Sequence, residues 1–405
     1  MDASLFENKT LLLGVTGSIA AYKTADWVRA LGREGASVQV VMTEAACRFI
    51  APLTFAALSG REVHTDMFAS AGAETIPHIR LARDSDLLLI APATATTLAR
   101  LANGLAEDLL SAIVLATRAP VLVCPAMNAA MYQHPATRAN LDRLAAYDYR
   151  ILTPDTGVMA CGEEGPGRLP EWDTVRESLL AALSPRDLEG RTMLVTAGPT
   201  HEPLDPVRYL GNRSSGRMGY ALARTARRRG ADVILISGPT PLPPPPGVKV
   251  IRVQTAAEMQ QAVLANLTQV SVVVKAAAVG DFRPAVQAEH KIKKTETVPT
   301  LALIANEDIL AKLGEMKKGS HQFPLLVGFA AESRDHLAAG KHKLHAKNLD
   351  LIAVNDILAA DAGFGVETNR LLLLDRTDRS EELPLLSKEE AADRLWDWVV
   401  SLFAS

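Results

Sequence analysis

The chain is 405 residues long, 48% hydrophobic and 22% charged, with a formal net charge of −3. That length exceeds a single core of ordinary size and points to two domains of roughly 180–220 residues, while the near-neutral charge gives no electrostatic case for nucleic acid or an acidic membrane. Three cysteines, Cys47, Cys124 and Cys161, without CxxC spacing, exclude a disulfide framework, argue against structural zinc and suit a reducing cytoplasm; Met1 to Lys9 carries no targeting signal.

The apolar run Thr10 to Val15 ends in Gly14-Val15-Thr16-Gly17-Ser18 and is followed by helical spacing through Leu31 and a strand, Ser37 to Met42. This is a β-loop-α-β unit of a parallel sheet. Its glycines do not fit G-x-G-x-x-G, and the second strand ends at Met42-Thr43 where a ribose-binding acid belongs, which disfavours a nicotinamide dinucleotide site. A phosphate monoester such as that of FMN needs only a helix N-terminus and the hydroxyls of Ser18 and Thr43; a plain structural turn is the alternative. One helix is expected over Ala45 to Ser59. The buried strand Asp86 to Ala91 then opens through Pro92-Ala93-Thr94-Ala95-Thr96-Thr97 into another helix, a second candidate cradle. Strand Pro120 to Cys124 ends in Pro125-Ala126-Met127-Asn128, so Asn128 lies just past a strand's carboxyl end, where open α/β sheets place ligands, and Cys124 reads as packed core.

Tyr149 to Thr153 is expected as a strand, and the glycine-rich Met159 to Arg168 as an irregular loop whose Cys161 is either a reactive lid residue or an incidental surface thiol. Helix Trp172 to Leu183 closes a first domain, residues 1–183; 184–190 read as a linker and 191–405 as a second domain. There the pattern starts over. Strand Arg191 to Val195 runs into the polar, glycine-rich stretch Thr196 to Gly219, then helix Tyr220 to Arg229 and strand Asp232 to Ser237. A proline tract, Pro241 to Gly247, stiffens the connection to strand Val248 to Val253. Strand Val270 to Val274 ends in Lys275-Ala276-Ala277-Ala278, with Asp281 beyond it, and the basic cluster His290-Lys291-Ile292-Lys293-Lys294 follows. Strand Leu325 to Ala330, a helix over Arg334 to Ala346 carrying Lys343 with Lys347 four residues on, strand Leu349 to Asn355, a hairpin near Leu371 and helix Lys388 to Phe403 complete the chain. The remaining histidines, His134, His201, His336, His342 and His345 among them, show no metal-binding spacing.

Five motifs in this order carry a resemblance: His78 in HIxLAR, PxMNxxM at Pro125 to Met131, ACGxxGPGR around Cys161, TAGPTxEPLDPVRYxxNxSSGxMG, and KxKK at Lys291 to Lys294. The first half resembles the flavin-dependent cysteine decarboxylases and the second half resembles phosphopantothenate-cysteine ligase. The whole chain is thus similar to the bacterial bifunctional enzymes of coenzyme A synthesis. Two departures stand out: the family's PASANT reads Pro92 to Thr97 here with Thr94 and Thr96 in place of its Ser and Asn, and its tryptophan after PxMNxxM is Tyr132.

The resemblance implies an α/β protein of two Rossmann-like domains with mainly parallel sheets, an N-terminal flavoprotein domain and a C-terminal ligase domain. In the first, FMN would be held by Gly17, Ser18, Thr43, Thr94 and Thr96. His78 would serve as acid/base, Asn128 would hold the substrate carboxylate with Met131 nearby, and Cys161 would donate the final proton. In the second, CTP with Mg2+ would meet Lys291, Lys343 and Lys347, with Ala276, Ala277, Ala278, Asp281, Asn306, Glu307, Asp308, Ile309 and Phe329 holding the nucleotide and Asn212 stabilising an acyl-cytidylate. The family's homo-oligomers reach a dodecamer of trimers and dimers. The competing readings are a flavin-binding regulatory protein without catalysis and, less well supported, a nicotinamide dehydrogenase.

Overall fold

The computed structural model describes residues 5–68, 76–293, 300–320, 322–332, 335–356 and 365–403. They form two compact units, Met1–Ser184 and Pro185–Ser405.

The first unit is built on a six-stranded sheet in the order Val63–His64, Ser37–Met42, Thr10–Val15, Leu87–Ala93, Val121–Pro125, Arg150–Ile151, parallel throughout. Successive strand residues face opposite sides, and here both sides are apolar. Leu11, Leu13 and Val15 pack with Trp27, Val28 and Leu31 of helix Ala21–Arg33. Leu12, Leu88 and Ile90 pack with Leu98, Leu110 and Ile113 on the other side. A parallel sheet covered on both faces explains why its strands read as unbroken apolar runs. The chain reverses its direction across the sheet between Thr10–Val15 and Leu87–Ala93, and this switch opens a crevice at the strands' carboxyl ends.

Three local expectations are corrected. The helix over Ala45 to Ser59 is two helices, Glu44–Cys47 and Pro52–Ser59. Pro52 has no N–H to continue the first, and it forces Ala51 into an extended conformation. The strand expected over Tyr149 to Thr153 is only Arg150–Ile151. The glycine-rich segment is a β-hairpin, Asp155–Val158 pairing antiparallel with Glu164–Arg168. A two-stranded ribbon has a free edge on each strand, where a proline such as Pro166 is tolerated.

The second unit repeats the plan in an eight-stranded sheet: Lys249–Arg252, Asp232–Ser237, Thr192–Ala197, Val272–Lys275, Leu325–Glu332, Leu351–Asp356, then Leu371–Asp375 and Ser380–Glu382. The first six are parallel in the same spatial order as in the first unit, and the last two are antiparallel. Helix Arg217–Arg228 begins earlier than its apolar spacing indicates, directly after Gly216 in the left-handed region at φ 79°. The C-terminal helix Lys388–Phe403 is pinned to it by Trp396, whose Nε1 donates to Leu222 O at 3.1 Å and Thr225 Oγ1 at 3.0 Å. Part of the stretch read as a linker belongs to this unit: Leu188 is fully buried, and Asp187 holds the buried Arg229 guanidinium at 2.6 Å. Among the described residues no helix is long and apolar enough to cross a membrane.

Candidate active sites

In the first unit a cavity of about 930 Å3 lies at the switch point. Gly17, Ser18, Thr43, Thr94 and Thr96 all line it, and they come from three different strand ends. The loops are tied together by Thr16, whose Oγ1 donates to Pro92 O at 2.6 Å and accepts from Thr94 N at 3.0 Å. Gly17 is required by close approach, because a Cβ there would lie 2.5 Å from that of Ala45. Thr43 and Thr94 cap the helices that follow them, while helix Ala21–Arg33 has no side-chain cap. Small residues, hydroxyls and converging helix N-termini suit a phosphate monoester. Met131, half exposed, lines the same cavity, as does Arg100, which sequence reasoning missed and which pairs with Asp108 at 2.7 Å.

Asn128 and Cys161 come together beside this strand end. Asn128 Oδ1 accepts from Ala130 N at 2.8 Å, and its Nδ2 donates to Glu163 Oε2 at 2.6 Å and to Cys161 Sγ at 3.6 Å. The exposed Cys161 sits in the turn of the β-hairpin. That hairpin is seated by backbone contact: Met127 N donates to Gly167 O at 3.0 Å, and a Cβ on Gly167, at φ 147°, would fall 2.1 Å from Met127 O. Gly167→Ala should therefore unseat the hairpin. On the activity that the resemblance implies, expected are loss of decarboxylation and retention of bound flavin, checked by product analysis and visible absorbance of the purified variant. His78 lies on helix Pro77–Arg83; its Nδ1 is buried without a hydrogen-bond partner among the described residues, and none joins it to Asn128 or Cys161. Cys124 is fully buried, which pushes its thiol pKa up, as a core residue requires.

In the second unit a cleft of about 420 Å3 is lined by Asn212, Ala276, Ala277, Ala278, Asp281, Phe329, Lys343 and Lys347. Asn212 Nδ2 donates to Val279 O at 3.1 Å and Ala278 O at 3.3 Å, locking the glycine-rich loop to the neighbouring strand end. Lys347 pairs with Asp308 at 2.6 Å and Lys343 with Glu332 at 2.5 Å. Asp308 also caps helix Ile309–Lys317. Burial alone would raise its carboxyl pKa, but Lys347 and the Ala311 N–H outweigh that and hold it below the usual range. Asn306, Glu307, Asp308 and Ile309 are not part of the cleft's lining: Asn306 Nδ2 donates to Gly280 O at 2.8 Å, Glu307 turns to Lys312, and the Ile309 side chain enters the core.

Lys291 is exposed and is not part of this lining, and Lys294 lies outside the described residues. The Lys291 segment is nevertheless anchored, because Ile292 N donates to Asp205 Oδ2 at 3.1 Å. Asp205 Oδ1 accepts from Val207 and Arg208 N–H groups at 2.8 Å each. Burial works against its ionisation, but these three donors keep its carboxyl below the usual range. A depressed carboxyl stabilises the fold above the unfolded-state pKa of about 4 and loses that contribution as the pH falls through the folded value. Asp205→Asn should free Ile292, seen as faster amide exchange there, and, on the activities that the resemblance implies, lower ligase turnover while leaving decarboxylation intact.

Sequence reasoning also missed Lys275, Arg217, Asn355, Asn369 and Lys388, all of which line the cleft. Burial lowers the pKa of the Lys275 ammonium, partly offset by Asp308 and Asp281. Among the described residues no group of three or more His, Cys, Asp or Glu could hold a metal ion.

Residues 3–184 match the Flavoprotein family, and residues 188–403 match the DNA/pantothenate metabolism flavoprotein C-terminal domain. The coenzyme A biosynthesis bifunctional protein CoaBC of Bacillus subtilis is 44% identical over 98% of this chain and 98% of its own length. That of Escherichia coli is 46% identical over 98% of this chain and 97% of its own. The chain belongs to the CoaBC family. A crystal structure of a CoaBC C-terminal domain, 38% identical, covers 54% of the chain with a TM-score of 0.46 and 98% of its own length. Family membership extends over both units, so the cavity at the first switch point belongs to a flavoprotein domain and the cleft at the second to its pantothenate-metabolism partner domain.

Proposed function

We propose that the two units carry out consecutive steps of coenzyme A synthesis. The second joins 4′-phosphopantothenate to cysteine, and the first decarboxylates the product to 4′-phosphopantetheine. The observation that carries this reading is the joining of Asn128 to Cys161 beside a hydroxyl-lined cavity in a chain similar over 98% of its length to bifunctional relatives.

Loss of CO2 from a cysteinyl carboxylate leaves a carbanion without support. FMN, when bound, supplies the redox chemistry that oxidises the substrate thiol and later restores it. Gly17, Ser18 and Thr43 hold its phosphate, and Thr94 and Thr96 the neighbouring part of the cofactor. The Asn128 amide, already a donor toward the hairpin, exchanges Glu163 for the substrate carboxylate. His78 moves the proton of the oxidation half, Met131 packs against the substrate, and Cys161 delivers a proton to carbon at the end.

In the second unit the acid's carboxylate attacks the α-phosphorus of CTP, releasing pyrophosphate, and the cysteine amine then displaces CMP. Lys343 and Lys347 meet the triphosphate, with Lys291 approaching on its anchored segment and Mg2+ carried by the phosphates themselves. The backbone of Ala276 to Ala278, with Asp281, Phe329 and the Asn306 to Ile309 turn, positions the nucleotide, and Asn212 holds the acyl-cytidylate. The chain assembles as a homo-oligomer on this reading, measurable by light scattering.

The test is pyrophosphate release by the purified yellow protein. Release that requires both CTP and 4′-phosphopantothenate supports the ligase reading, whereas no release under these conditions leaves the flavin-binding regulatory protein in its place.

A further inference from the structure

The cleft of the second unit has cations at both of its sides, and only one side is explained by the nucleotide. Lys343 and Lys347 come from helix His336–Ala346 and its C-cap, whose Leu344 packs with Leu194 and Val273. Lys388 opens helix Lys388–Phe403, whose Leu395 and Trp396 pack with Val195 and Val272. Adjacent strand residues face opposite sides of a sheet. The cleft therefore runs over the sheet's carboxyl edge, with the two lysine groups approaching from opposite faces.

Lys388 is placed where an uncompensated cation is unfavourable. It is 7% exposed and is the first residue of a long helix, the positive end of its dipole. Its Nζ donates to Thr368 O at 2.9 Å. Arg217, also lining the cleft, adds a second positive charge, held by Glu367 at 2.8 Å and by Gly365 O at 2.7 Å, partners a phosphate would have to displace. The acids near Lys388 are committed elsewhere: Glu367 pairs with Arg217 at 2.8 Å and is 77% exposed, Glu389 is held by Arg224 and Arg228, and Glu390 accepts from Ser387. Asn355 Oδ1, beside them in the cleft, is buried without a partner among the described residues and can accept from a ligand hydroxyl or amide. Such a set calls for an anion that carries neutral hydrogen-bonding groups behind it.

We propose that Lys388 is the residue by which this site selects a phosphorylated acid, holding with Arg217 the phosphate monoester while the acid's carboxylate reaches toward the nucleotide lysines. This rests on the ligase reading above. Burial pushes the Lys388 ammonium down to about 8, against Glu367 and aided by Arg217. The cation is present below that value, so the KM for 4′-phosphopantothenate rises as the pH climbs through it.

The experiment measures pyrophosphate release by the full-length wild type, Lys388→Met and Lys388→Arg, with 4′-phosphopantothenate or unphosphorylated pantothenate as acid. Lys388→Met should raise the KM for the phosphorylated acid by roughly tenfold or more, leave the KM for CTP within about twofold, and shrink the preference for the phosphorylated acid to the same degree. Lys388→Arg should keep that preference and abolish the rise in KM near pH 8. Equal changes in both KM values, an unaltered phosphate preference in Lys388→Met, or a persistent rise near pH 8 in Lys388→Arg would overturn the assignment. Absence of any wild-type turnover would instead overturn the ligase reading, so the two failures are distinguishable.

Discussion

Cys161→Ser should lower formation of 4′-phosphopantetheine by about 10²–10⁴-fold, the range for removing a positioned proton donor, while ligase turnover stays at the wild-type level. The substitution keeps the size and the turn of the hairpin, so the contact with Asn128 survives and only the acidity of the donor changes. A serine hydroxyl is a far weaker acid than a thiol. Substrate should therefore still bind, lose its carboxyl group and remain unreduced. Mass spectrometry of the small molecules retained on the variant should find the decarboxylated, oxidised species, two hydrogens short of product. Normal product yields would remove Cys161 from the mechanism.

Asn212→Asp is expected to lower ligase turnover by about 10²–10³-fold, with decarboxylation of supplied 4′-phosphopantothenoylcysteine unchanged. The Asn212 amide donates to Ala278 O and Val279 O, the backbone assigned to the nucleotide. A carboxylate in that place would face two carbonyl oxygens, lose both hydrogen bonds and set a negative charge in a cleft that must take up a triphosphate. Position and charge fail together. The loss should appear mainly in pyrophosphate release; if ligase turnover persists near the wild-type rate, the role assigned to Asn212 is wrong.

Much of the fold was legible because a parallel sheet buried on both faces leaves a strong mark. Runs such as Leu87 to Ala93 are apolar at every position, and they give way abruptly to segments rich in small and hydroxyl residues, such as Thr94 to Thr97 and Ala276 to Ala278. Those endings lie at the carboxyl edge, so reading where the strands stop amounts to locating both clefts. What was not legible depended on contacts between distant segments. The Cys161 hairpin is held by Gly167 against Met127, a backbone approach that composition alone makes look like an irregular loop. Lys388 and Arg217 open two helices distant in sequence that Trp396 ties together, and nothing local to Lys388 signals its place in the ligase cleft. The Pro52 break was available in the sequence, since a proline biases the residue before it toward extended backbone, but the apolar spacing on either side concealed it.

The central claim is that one chain performs both steps in order. Cysteine labelled at its carboxyl carbon, supplied to the purified full-length protein with 4′-phosphopantothenate, tests it by release of labelled CO2 alongside mass detection of the product. The prediction is that label is released only when CTP is present, with 4′-phosphopantetheine and pyrophosphate formed in equal amounts. Pyrophosphate formed without labelled CO2, or labelled CO2 released without CTP, would contradict it.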